Sequence, residues 1–155
     1  MEKRRICYFA GHSDISGESG LFEQVVETIT TLIEEEGVTE FWVGNYGGFD
    51  RLSAKAVREV KKTHPKIELN LIIPYLTKEI NEYSKDYQKN FDNIIVADIP
   101  ENTPEKFKIL KTNQYAVNNS DYLVCFVRYP FGGAAKTLDF AKRVKGIKII
   151  NVLEK

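Results

Sequence analysis

Leu123-Val124-Cys125-Phe126-Val127 runs without a polar residue into Arg128-Tyr129-Pro130-Phe131-Gly132-Gly133-Ala134-Ala135-Lys136-Thr137. A continuous apolar run of this kind predicts a strand buried on both faces, as in a parallel sheet. The glycine pair followed by small residues predicts a helix start whose N–H groups are open to an anion. The same order, strand then glycine-bearing loop then helix, occurs twice upstream. Ala10-Gly11-His12-Ser13 follows Ile6-Cys7-Tyr8-Phe9, and Gly44-Asn45-Tyr46-Gly47-Gly48 follows Phe41-Trp42-Val43. In an open parallel α/β sheet, ligands sit at the carboxyl ends of the strands, near the point where strand order reverses. Three such loops on one edge predict a nucleotide-sized pocket.

Outward from these loops, strand and helix patterns alternate at nearly constant spacing. Strands are expected at 5–10, 40–44, 67–73, 93–97, 122–127 and 147–153. Leu21, Val25, Ile29, Leu32 and Ile33 form one helical stripe, stopped by Gly37. Leu52, Ala56 and Val60 form a second, with Asp50 as its cap and Pro65 beyond its end. Leu76, Ile80, Tyr83, Tyr87 and Phe91 suggest a third helix, Phe107, Leu110 and Val117 a fourth, and Ala134, Leu138, Ala141 and Val144 a last one. The expected fold is a Rossmann-like doubly wound α/β domain over 1–155, with a mostly parallel sheet of about six strands and helices on both faces.

The chain has 155 residues, 43% of them hydrophobic and 28% charged, and its formal charge is zero with 22 basic and 22 acidic residues. That balance lacks the basic face of an electrostatic nucleic-acid binder, so nucleic acid is not expected as a partner. It leaves room for a small anionic ligand, which needs only a local field. No apolar run reaches the length of a membrane span, and no signal peptide is read at the start. Cys7 and Cys125 read as buried reduced thiols. The expectation is a soluble cytoplasmic protein without membrane, metal or cofactor.

Each loop offers candidate ligand contacts. In the first, Gly11, His12 and Ser13 face the expected pocket, and Ser16 or Ser19 can cap the following helix. In the second, Gly44, Asn45, Tyr46 and Gly47 are candidates: Asn45 supplies amide groups and Tyr46 a ring to stack on a base or sugar. Asp50 reads equally as a helix cap or a ribose-hydroxyl contact, and Gly47-Gly48 also as a turn needing positive φ. In the third, Gly132, Gly133, Ala134 and Thr137 form the anion site, with Lys136 either on phosphate or in solvent. The Walker A spacing is missing, so ATP hydrolysis has no support. Asn113 and Gln114 are costly choices for a helix that buries one face, which points one of them, Asn113, into the pocket.

Together these residues resemble the SLOG superfamily, a Rossmann-like group that includes bacterial DNA-processing proteins and the LONELY GUY phosphoribohydrolases. The likeness is greatest to small stand-alone bacterial and phage members. It rests on Gly11-His12, on Gly44 through Asp50, on Asn113-Gln114 through Ser120-Asp121, and on Gly132-Gly133 through Thr137. The resemblance implies a nucleotide or nucleotide-derived ligand with phosphate at the Gly132-Gly133 helix start, and a homo-oligomer. It departs where the phosphoribohydrolases carry an arginine and a glutamate, since those positions here are Thr112 and Phe140. Asp139 and Lys111 lie one position away, a turn of about 100° on a helix.

The function expected from these readings is a sensor or sequestering module for a nucleotide-derived signal. The alternative is an enzyme acting on an N-glycosidic bond, a phosphoribohydrolase or deoxyribosyltransferase-like catalyst, with Asp50, Asp139 and Glu18 as candidate carboxylates. Handling of single-stranded DNA ranks third.

Overall fold

The structure is a computed structural model that describes residues 4–74 and 90–153. Six strands form one sheet: β1 (Ile6–Gly11), β2 (Glu40–Val43), β3 (Glu68–Ile73), β4 (Asn93–Val96), β5 (Tyr122–Phe126) and β6 (Lys148–Asn151), in the order β4-β3-β2-β1-β5-β6. Every pairing is parallel, so the sheet expected to be mostly parallel is uniformly so. Four helices are described: α1 (Leu21–Glu36), α2 (Gly48–Lys61), α3 (Glu105–Asn118) and α4 (Gly133–Ala141). The helix expected over 76–91 falls almost wholly outside the described residues.

The pleat of β1 explains the layering. Cys7 and Phe9 point into a core with Leu21, Val25, Ile29 and Leu32 of α1 and with Val57 and Val60 of α2. Ile6, Tyr8 and Ala10 point the other way, into a core with Ala116 and Val117 of α3 and Leu138 and Ala141 of α4. Successive side chains of a strand face opposite sides, so one apolar run feeds both layers. The fold is the doubly wound, Rossmann-like α/β arrangement. Cys7 and Cys125 are both buried, on opposite sides of the sheet.

Helix ends follow local chemistry in some places and not others. Gly37 takes the left-handed conformation, φ 72°, and stops α1 as its position suggests. Neither Ser16 nor Ser19 caps that helix; Gly20 occupies the cap position without a side-chain bond. Asp50 is not a cap either, because α2 begins at Gly48 and Asp50 sits inside its first turn. On α3 the buried positions are Thr112, Ala116 and Val117, while Phe107 is exposed.

Phe9 lies at the centre of the first core, its ring stacked 5.9 Å from Phe41 and edge-on to Phe49 at 6.5 Å. Phe9→Ala is expected to destabilise the fold by about 3–5 kcal/mol. A denaturant titration that moved by less than about 1 kcal/mol would show that this layer is not the core.

Candidate functional site

The chain steps outward from β1 to β4 in one direction and from β5 to β6 in the other, so strand order reverses between β1 and β5. A cavity of about 360 Å³ opens there, at the carboxyl ends of the strands. Its walls are Ala10, Gly11, His12 and Ser13 after β1, Tyr46 and Asp50 after β2, Ile109 and Asn113 on α3, and Tyr129, Phe131, Gly132, Gly133 and Ala134 after β5.

Close backbone approach holds the first two loops together. Gly48 N–H donates to the Ser13 carbonyl at 2.7 Å, and Phe49 N–H to the His12 carbonyl at 3.3 Å. A Cβ on Gly47 would sit 2.6 Å from Ser13 Cα, and one on Gly48 2.5 Å from the Ser13 oxygen. Neither glycine has a positive φ, so the turn reading is replaced by a packing one. Gly11 is likewise demanded by packing, since its Cβ would meet the Phe49 ring at 2.4 Å.

Arg128 ties the first loop to β5. Its backbone N–H donates to His12 Nε2 at 2.9 Å, and its guanidinium reaches Glu18 at 2.8 Å and the Asp14 carbonyl at 2.9 Å. The guanidinium also lies over the rings of Phe126 and Tyr129. With Nε2 accepting, the His12 proton resides on Nδ1. Partial burial, and then the Arg128 charge, lower the His12 pKa below its ordinary value, so the ring is neutral at pH 7.

Two polar side chains on the cavity wall have fixed roles. Tyr8, 1% exposed, donates its hydroxyl to Asn113 Oδ1, which leaves the Asn113 NH₂ group as a donor. Burial, followed by the charge of Asp50 and by Tyr46, pushes the Tyr8 phenol well above its ordinary pKa and keeps that proton in place. Asp50 Oδ2 accepts the Tyr46 N–H at 3.0 Å. Desolvation raises the Asp50 pKa from 3.8 to about 6, with the Tyr46 N–H and then Arg51 opposing.

The loop that leads into α4 suits an anion and an aromatic face. Gly132 has φ 94°, a conformation that favours glycine, and places Gly133 at the start of α4. A Cβ on Gly133 would meet nothing within 4 Å, so its backbone is open to approach. Beside it, Tyr129 and Phe131 stack at 5.4 Å and 17°, 46% and 69% exposed. Tyr129 also packs against the His12 ring at 5.2 Å.

Other candidates lie outside the cavity wall. Asn45 points into solvent, Gly44 packs under Tyr46 and Asp50, and Gly47 is spent on Ser13. Thr137 is buried with its hydroxyl on the Gly133 carbonyl at 2.9 Å. Asp139 is exposed on α4, and Glu18 is paired with Arg128. Thr112 is buried and bonded to the Lys108 carbonyl at 2.7 Å, while Phe140 packs on the second core. Sequence reasoning passed over Tyr129, Phe131 and Arg128. Two aromatics flanking Pro130 just before a Gly-Gly helix start were the signal available.

A larger cavity of about 770 Å³ lies at the amino ends of the strands, between the end of α1 and the turn after α2. Several polar groups there are engaged with one another: Arg5 donates to the Glu36 carbonyl at 2.8 Å and His64 meets Glu34 at 3.1 Å. The smaller cavity is the functional candidate, because it sits where strand order reverses and joins open backbone N–H groups to aromatic faces. Among the described residues, no cluster of His, Cys, Asp and Glu suits a metal ion, and no helix is long and apolar enough to cross a membrane.

A family model described as the YspA SLOG family matches residues 16–145, most of the chain and two of its three glycine loops. The chain belongs to the YspA SLOG family. A UPF0398 protein of Halalkalibacterium halodurans is 30% identical to this SLOG chain over 140 residues, covering 85% of it and 71% of the relative. The fold is shared with DNA processing protein A from Streptococcus pneumoniae, at TM-score 0.62 and 14% identity, over 94% of this chain and 49% of that one. It is shared also with DNA processing protein A from Helicobacter pylori, at TM-score 0.58 and 14% identity, over 92% of this chain and 62% of that one. The SLOG chain thus spans about half of one solved protein and under two thirds of the other.

The Helicobacter pylori protein has a single-stranded DNA binding mode. That finding overturns the expectation, drawn from zero net charge, that nucleic acid is not a partner for such a chain. Net charge averages over a whole surface, whereas a strand needs only local cations and aromatic faces.

Asp50→Asn keeps an acceptor for the Tyr46 N–H and removes the desolvated charge. The folded protein holds the Asp50 proton up to about pH 6 and the unfolded chain releases it near 3.8, so stability falls as pH rises through that window. The full difference is about 3 kcal/mol at most. Asp50→Asn is therefore expected to melt above the wild type at neutral pH, with the gap closing towards pH 4. Parallel melts across that range check it; a variant less stable at every pH would refute the assignment.

Proposed function

We propose that this chain binds a nucleotide or nucleotide-derived signal in the cavity at the carboxyl edge of the sheet, as a sensor or sequestering module. The observation that carries the reading is the juxtaposition of the open Gly132-Gly133 start of α4 with the stacked Tyr129–Phe131 pair on one cavity wall. Helix N–H groups and the positive end of the dipole favour a phosphate. The exposed rings offer a face on which a base can stack. Neutral His12 contributes an Nδ1–H donor without adding charge.

Single-stranded nucleic acid is the second reading. It is favoured by the 69% exposure of Phe131, by the exposed Lys111 and Lys136, and by the binding mode of the Helicobacter pylori protein. A strand would lay one nucleotide on the aromatic pair and run its backbone past α4.

Calorimetric titration with mono-, di- and cyclic nucleotides, ADP-ribose and a labelled single-stranded oligonucleotide separates the readings. A nucleotide bound intact is expected, and release of free base would move the function to N-glycosidic cleavage. Phe131→Ala is expected to weaken binding by about 1–3 kcal/mol, the range for a base stacked on an aromatic ring. Gly133→Asp has room for its side chain and places a negative charge at the helix start, so it is expected to abolish binding without unfolding the protein. Full affinity in both variants would sink the proposal.

A further inference from the structure

Three groups on the cavity wall divide a nucleotide between them. Phosphate is drawn to the start of α4 and repelled by the Asp50 carboxylate across the cavity. The Tyr129 and Phe131 rings suit the flat, apolar face of a base. What remains is the polar pair, Asn113 and Asp50.

The pair has a fixed hydrogen-bonding polarity. Because the buried Tyr8 hydroxyl occupies Asn113 Oδ1, the amide presents its NH₂ group as donor. Because Tyr46 N–H occupies only Oδ2 of Asp50, the other carboxylate oxygen has no donor among the described residues and stands as acceptor. A donor from α3 and an anionic acceptor from α2, both lining the cavity, match a group that accepts and donates together. A hydroxyl does both, and two adjacent hydroxyls satisfy the pair at once. The position is also apt: dinucleotide-binding doubly wound domains set a carboxylate near the second strand against a ribose hydroxyl. Asp50 follows β2, one strand away from the β1 loop at the reversal point.

Resting on the reading of this cavity as a nucleotide site, we propose that Asp50 and Asn113 read the vicinal hydroxyls of a ribose. The site then takes ribonucleotides in preference to 2′-deoxyribonucleotides. Asp50 accepts one hydroxyl proton while the Asn113 amide donates to a hydroxyl oxygen. The 2′-deoxy sugar leaves one of these groups without its partner, and a desolvated polar group left unpaired rejects a ligand strongly. Tyr8 acts behind the site as a positioning residue, holding the amide in its orientation.

The test is calorimetric titration of the full chain with adenosine, guanosine, cytidine and uridine 5′-mono- and diphosphates and each 2′-deoxy counterpart. The expected result is about 10- to 100-fold tighter binding of the ribonucleotide for whichever base is preferred, the range for a hydrogen bond to a charged group. Asp50→Asn keeps the Tyr46 bond and should reduce that preference to within about threefold, by weakening the ribonucleotide and relieving the penalty on the 2′-deoxynucleotide. Tyr8→Phe frees the Asn113 carbonyl and should shrink the preference too, without changing which base is favoured. Equal affinity for both sugars in the wild type would overturn this inference alone. Failure of every nucleotide to bind would overturn it together with the nucleotide reading. A preference that survives in Asp50→Asn and Tyr8→Phe would show that another part of the wall reads the sugar.

Discussion

Strand β1 has no solvent-facing side and no free edge, and the other elements are arranged around that constraint. It bonds to β2 on one edge and β5 on the other, and its side chains enter two cores on opposite faces. Parallel neighbours must be reached by crossovers, which lay helices over both faces and bring the carboxyl ends of the strands to one side. The cavity lies where β1 ends, between neighbours reached by chain running in opposite directions. Directly above that end, Gly11 passes over the Phe49 ring with no room for a Cβ.

The glycines of the three loops serve two different physical ends. Gly11, Gly47 and Gly48 lack side chains so that protein can pack on protein, against Phe49 and against Ser13. They set the distance between the β1 and β2 loops and hence the shape of one wall. Gly132 and Gly133 face open space, with Gly132 at a positive φ of 94° that favours glycine and starts α4 abruptly. There the absence of a side chain leaves backbone N–H groups accessible. Only the second kind leaves backbone open to approach.

The polar wall shows a conflict between stability and chemistry. Asp50 remains a carboxyl in surroundings that disfavour its charge, with one N–H as compensation. Asn113 is held by a buried phenol from the sheet. An apolar pair at these positions would pack without such penalties. Arg128 serves a different end: it braces the loop bearing His12 through Glu18 and the Asp14 carbonyl.

The alternation of strands and helices, the parallel sheet and the stop at Gly37 were legible in the chain itself. Burial on both faces writes itself as an unbroken apolar run, and amphipathic periodicity depends only on near neighbours. The glycine loops were legible too, together with the edge on which they lie. What each loop residue does was not. Asp50 is placed inside a helical turn rather than at its cap, Thr137 is turned inward, and Gly47 meets Ser13, none of which local pattern records. Asn113 has its orientation set by Tyr8, 105 residues away. The sequence by itself determined the architecture and the neighbourhood of the site, because those follow from local burial and periodicity. Only the tertiary structure decided which side chains share the cavity and which way their donors and acceptors face, because that is set by packing between residues far apart in the chain.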